Sequence, residues 1–161
     1  NAQNYVYRSA VRSNDRTYRF RGHGGFGDDG GSFRYQNRDY TRATFPLTAA
    51  GVTTLYAAGE YDSPIIRDAL DYMDRQVDGF SRDWWGHYFF FYGHYYAVQA
   101  YYITGDPKWT KYFRRIKSRL LDGQEADGRW RCQVGPGDAF GTAVATLILQ
   151  IPMQYLPIFQ R

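Results

Sequence analysis

The stretch GHYYAVQAYYITGDPKW, residues 93–109, decides the fold, because related versions of it occur twice more in the same chain. LTAAGVTTLYAAGEYDSP starts at Leu47, and GTAVATLILQIPMQYLP starts at Gly141. Gly93 and Gly141 are 48 positions apart, and Gly59 and Gly105 are 46 apart. In this register Gly51, Ala97 and Ala145 coincide. The helical part of each segment runs 12 to 15 residues, is rich in Ala, Thr and Tyr, and closes on Gly or Pro. That is helix length with helix-stop chemistry. A period of this size marks a repeat architecture.

Working outward, the segments between the repeats are helical too, but charged. In SPIIRDALDYMDRQ (63–76), Ser63 suits an N-cap and Pro64 the first helical position. Ile66, Ala69, Leu70 and Met73 recur at helical spacing, with Arg67, Asp68, Asp71, Asp74 and Arg75 on the wet face. DPKWTKYFRRIKSRLLDGQ (106–124) repeats the plan. Asp106 is the expected cap, Pro107 follows it, and Trp109, Tyr112, Phe113, Ile116, Leu120 and Leu121 are expected inward. Each period of about 47 residues is therefore one hairpin of an amphipathic helix and a nearly uncharged one. The expected fold class is all-α, with about three helical hairpins. Uncharged helices should form an inner layer and charged ones an outer layer. The domain reading is one domain over 1–161, with an Arg/Gly-rich segment and long turn over 1–40 and hairpins over 41–161.

Composition agrees with a packed, aromatic-rich protein. Hydrophobic residues make up 43% and aromatics 19% of 161 residues, with 16 Tyr, 11 Phe and 4 Trp. Such a density serves a thick core, an aromatic-lined cavity or an interface. The formal charge of +4 is uneven: residues 1–42 hold eight Arg against four Asp, and the rest balances at 12 and 12. A local basic patch is indicated rather than a nucleic-acid surface. The one cysteine, Cys132, excludes an intrachain disulfide and a thiolate cluster for metal. No apolar run approaches the ~20 residues needed to span a bilayer. The chain begins with Asn1, as expected of a processed product or a piece of a longer protein.

One loop carries a family signature. After the 106–122 helix comes QEADGRW, in which Gln124, Gly128 and Trp130 form Gln-x-x-x-Gly-x-Trp. This resembles the QW motif of the terpene cyclase and prenyltransferase/squalene-oxidase repeat superfamily. QVDGF (76–80), followed by Trp84 and Trp85, is similar to a worn copy, and the opening stretch supplies Gly-Gly-Phe and Gly-Gly-Ser-Phe turns at the corresponding place before Leu47. DAFGTAVATLILQIPMQYLPIFQR (138–161) looks like the closing segment of bacterial members. The resemblance covers most of residues 20–161. It implies an α/α-toroid, with inner and outer helix rings around an apolar lumen. Full toroids use about twice as many hairpins, so the resemblance implies half a ring, completed by the remainder of a longer protein, a second copy or another subunit.

RFRGHGGFGDDGGSFRY (19–35) admits three readings: an Arg-Gly-rich nucleic-acid arm, a catalytic acid pair at Asp28 and Asp29, or a glycine-rich turn between helices. The turn is the expected one. Arg-Gly occurs once rather than in tandem, and two acids flanked by glycines in a loop stay solvated and ionised.

Catalytic patterns of the superfamily are missing. Class II cyclases protonate an alkene or epoxide with an Asp-x-Asp-Asp acid, which does not occur here. The Asp/Cys/His zinc set of protein prenyltransferases has no match around Cys132. His87 and His94, seven apart, supply two nitrogens at most, and a structural role is expected. The thioester motif of complement-type toroids is absent, and GHGGFG (22–27) lacks the Lys-Ser or Lys-Thr of a phosphate loop. No catalytic residue, metal or cofactor is assigned.

The richest feature is WWGHYFFFYGHYYAVQAYY (84–102). Trp84, Trp85, Tyr88, Tyr92, Tyr95, Tyr96 and Tyr102 are the expected ligand-lining residues, since aromatic faces suit an isoprenoid chain or a cation. Ordinary core packing, with hydroxyls bonded to carbonyls, is the competing reading. The functional expectation is a toroid module binding an isoprenoid or other apolar ligand, or lipid. The alternatives are a non-catalytic scaffold subunit of a larger complex and, third, a carbohydrate-active toroid. A second copy or another subunit is the expected partner, and nucleic acid is not.

Overall fold

The chain order of the computed structural model is one of helices, and it describes residues 2–12, 30–37, 43–79 and 89–155. Among these there are six α-helices and no strand. They are α1 (Ala2–Ser9), α2 (Phe45–Ala57), α3 (Pro64–Gly79), α4 (Phe90–Thr104), α5 (Lys108–Asp122) and α6 (Asp138–Gln150), and a 3₁₀ turn at Ile151–Met153 follows α6. The protein is all-α. Two compact units divide the chain, Asn1–Ser81 and Arg82–Arg161.

In the first unit, α2 packs on both α1 and α3. α2 starts where Thr44 turns extended (φ −149°, ψ 159°) and its hydroxyl accepts the Leu47 N–H at 3.4 Å, with Pro46 in the first turn. It stops in a Schellman arrangement: the Gly59 N–H donates to the Tyr56 carbonyl at 2.9 Å and the Glu60 N–H to that of Leu55 at 3.0 Å. Gly59 takes φ +84°, the left-handed region that favours glycine. In α3 the Ser63 hydroxyl accepts from Ile66 N–H at 3.4 Å, as its capping role requires. Ile66, Ala69, Leu70 and Met73 are buried, and Arg67, Asp68, Asp71 and Arg75 are exposed. The period of 3.6 separates the two sets as the sequence leads one to expect. Tyr7 of α1 donates its hydroxyl proton to Glu60.

In the second unit, α4 packs on both α5 and α6. α4 carries no charge, and Ala97, Val98, Ala100 and Tyr101 are buried. Asp106 does not cap α5 at its first residue. Its carboxylate reaches one turn on, accepting from the N–H of Thr110 at 3.3 Å and from the Thr110 hydroxyl. Tyr112, Ile116 and Leu120 are buried, with Trp109 and Phe113 half-buried. Leu121 departs from expectation at 51% exposed. One residue further along a helix is 100° further round, which carries Leu121 off the face that Leu120 presents.

Candidate functional site

The residues of Gln-x-x-x-Gly-x-Trp form one clasp. Gln124 Nε2 donates to the Gly128 carbonyl at 2.8 Å, closing the loop on itself. Gly128 takes φ +86°. Trp130, 4% exposed, donates its indole Nε1–H to the Leu120 carbonyl at 2.7 Å, at the end of α5. Its backbone N–H donates to the Thr142 hydroxyl of α6 at 3.0 Å. Trp130 thus joins the end of one helix to the start of the next. Arg129 adds ion pairs to Asp127 and Asp138, both at 3.2 Å.

The first repeat contains a second version of the clasp. Phe33, 2% exposed, donates its N–H to the Thr48 hydroxyl at 3.0 Å. Two residues before Phe33 stands Gly31 at φ +90°, as Gly128 stands two before Trp130 at φ +86°. Thr48 follows Leu47, and Thr142 follows Gly141, so the two hydroxyls share one repeat position. A glycine lets loop and helix approach closely in both. A Cβ on Gly51 would lie 3.0 Å from the Phe33 ring, and one on Gly141 would lie 2.9 Å from Cys132 Cβ and 3.0 Å from the Trp130 carbonyl oxygen. Thr48→Val and Thr142→Val should each cost about 1–3 kcal/mol in urea unfolding, since either leaves a loop N–H without its acceptor. A loss below measurement in both would rule the clasp out as a stabilising element.

The middle repeat has His94 at that position. His94 is fully buried, and its Nδ1 lies 2.7 Å from the Tyr112 hydroxyl. Burial pushes the Tyr112 phenol well above its ordinary value, so it stays neutral and can donate to the ring nitrogen. Tyr101 stacks on Tyr112 at 4.3 Å between ring centres. His94 is a core residue of the α4–α5 contact. Among the described residues no group of three His, Cys, Asp or Glu converges to hold a metal ion.

Of the aromatic residues read from 84–102, Trp84, Trp85 and Tyr88 lie outside the described residues, as do His87, Asp28 and Asp29. Tyr92, Tyr95 and Tyr96 share one stripe of α4. Tyr92 and Tyr96 meet edge-on at 5.1 Å between ring centres, and Tyr95 and Tyr96 at 5.2 Å. Tyr92 is 38% exposed, and Tyr95 and Tyr96 are half-buried. Phe89, 45% exposed, extends the stripe against Tyr92. Gln99 continues it one turn on, its Nε2 donating to the Tyr95 carbonyl at 2.8 Å. Tyr102 does not join them. It is buried edge-on against Trp109 of α5 at 5.1 Å, and accepts from Gln154 Nε2 at 2.6 Å. Tyr102 lies seven residues from Tyr95, nearly the same way round but two turns or about 10 Å further along the helix, so it meets a different neighbour.

Phe89, Gln99, Thr48, Thr142 and Gly31 were not singled out from sequence. The repeat register carried a signal for the two threonines. The arrangement defines an all-α, aromatic-rich protein of helical hairpins, fastened loop to helix. No family model matches the chain, and comparison with curated proteins and with solved structures finds no match either.

Proposed function

We propose that this chain is a toroid-type module, similar to the terpene cyclase and prenyltransferase repeat superfamily, that binds an isoprenoid or other apolar ligand. The observation that carries the proposal is the uncharged surface that α4 retains. Phe89, Tyr92, Tyr95 and Tyr96 form a contiguous aromatic stripe on a helix whose opposite face is already filled by core. The same economy of charge holds in α2, which has none, and in α6, which has only Asp138 in its first turn. Soluble repeat proteins place charge on faces that meet only water, so uncharged exposed faces are reserved for contact. The two matching clasps support the repeat assignment. Catalysis is not part of the proposal: the sequence has no Asp-x-Asp-Asp motif, and among the described residues no group of three His, Cys, Asp or Glu converges.

Farnesol is the probe. Tyr92→Ala and Tyr96→Ala should each weaken its binding about threefold to tenfold, the worth of one aromatic contact, with the melting temperature little changed. Unchanged affinity in both variants would remove the stripe from ligand binding. The same exposed tyrosines also favour a second reading, a scaffold subunit whose stripe meets another protein or a second copy, because Tyr is enriched in interface cores. Native mass spectrometry separates the two. A hydrophobic small mass bound to the chain supports the first reading, and a larger complex without one supports the second.

A further inference from the structure

The chain has only three lysines, and all three, Lys108, Lys111 and Lys117, lie in α5. With Arg114, Arg115 and Arg119 they give the helix six basic residues against one acid, Asp122. The rest of the second unit does not balance them. α4 has no charge, α6 has only Asp138, and the intervening loop commits its acids elsewhere. There Glu125 pairs with Arg131 at 2.8 Å, and Asp127 and Asp138 pair with Arg129 at 3.2 Å. Whatever contacts the individual side chains make, bases exceed acids by four over residues 106–122.

Three of these six bases line one cleft. Lys111, Arg114 and Arg115, with Asp106, Pro107 and Thr110, line an open cavity of about 500 Å³ at the start of α5. We propose that this cleft binds a phosphoryl group, of a lipid headgroup or of a soluble phosphate. The assignment does not rest on the isoprenoid reading, since the cleft belongs to the charged face of α5 and the aromatic stripe to α4.

Three physical arguments favour phosphate. Two adjacent guanidinium groups and one ammonium bring three positive charges to a cleft with one acid, and arginine forks match tetrahedral oxyanions in pairs. A concave cleft in which three bases outnumber one acid focuses a positive field that draws an anion in. The three bases lie within five consecutive residues, a rise of about 6 Å, close enough to converge on one phosphoryl group. Asp106 is the one acid at the cleft, and its Oδ1 is held by the N–H and hydroxyl of Thr110. The helix end is thereby already satisfied, which leaves an incoming anion to the side chains of the next turn.

The test uses the full chain and three probes: soluble pyrophosphate, phosphatidylcholine vesicles with and without phosphatidic acid, and a polyglutamate peptide. Binding to pyrophosphate supports a soluble phosphate ligand. Binding to vesicles only when phosphatidic acid is present supports a headgroup. In either case Lys111→Gln, Arg114→Gln and Arg115→Gln combined should weaken binding about 10²-fold, at roughly fivefold per charge. Asp106→Asn keeps an oxygen for Thr110 and removes the repelling charge, so it should tighten binding about threefold. That opposite sign is not produced by mere loss of fold. Failure to bind either phosphate probe, capture by polyglutamate alone, or no change in the triple variant would each overturn the assignment.

Discussion

Gly31→Ala should lower the unfolding free energy by about 4 kcal/mol, among the larger effects a single methyl can have. Two costs add. At φ +90° an L-residue pays about 1–2 kcal/mol in backbone strain. A Cβ built there would also lie 2.2 Å from the Asp68 carbonyl oxygen and 2.7 Å from its carbon. Those are backbone atoms inside α3, which cannot swing aside, so loop or helix must shift. Gly59→Ala is the control. Gly59 has φ +84° with nothing within 4 Å of the added methyl, so it bears the strain alone, about 1–2 kcal/mol. Urea unfolding of both variants tests the difference. Equal losses would mean that the close approach of residue 31 to α3 is wrong.

Trp130→Ala should cost about 3–5 kcal/mol, the usual loss for a buried tryptophan cut to a methyl. It removes the ring that fills the α5–α6 corner and the Nε1–H bond to the Leu120 carbonyl. Trp130→Phe separates the two. It keeps most of the ring and loses the bond, and since Gly123 N–H also donates to the Leu120 carbonyl at 3.1 Å, about 1 kcal/mol is expected. Thermal or urea unfolding of the pair reads this. Were the alanine variant no worse than the phenylalanine one, the ring would not be the anchor, and the likeness of Gln124–Trp130 to the QW motif would be superficial.

Helices were the most legible part of the chain, for reasons that can be named. α3 and α5 announce themselves through apolar spacing, and α2 and α4 through glycines at their ends and internal likeness. The amphipathic period placed Ile66, Ala69, Leu70 and Met73 correctly and misplaced Leu121, because an edge position of a helical face depends on how wide a strip its neighbours cover. Asp106 was expected as the cap of α5, but Pro107 takes that position and the Asp106 carboxylate reaches on to Thr110, as the geometry of the turn before α5 sets it. Of the aromatic stripe, Tyr92, Tyr95 and Tyr96 belong together as spacing suggested. Tyr102 was lost to Trp109 and Gln154, partners that only the fold brings near. Gly31 could not be recognised from sequence, because Asp68 is 37 residues away and a close approach between them leaves no local pattern.

The two threonine clasps also bear on the order in which the chain assembles. Each closes a short loop, 15 residues from Phe33 to Thr48 and 12 from Trp130 to Thr142. Loops near this length close in about 10–100 ns and at little entropic cost. The search that seats α2 or α6 on its own loop is therefore local and fast. The first and third repeats thus carry a local means of finding register, and local contacts of this kind are the ones that form fast.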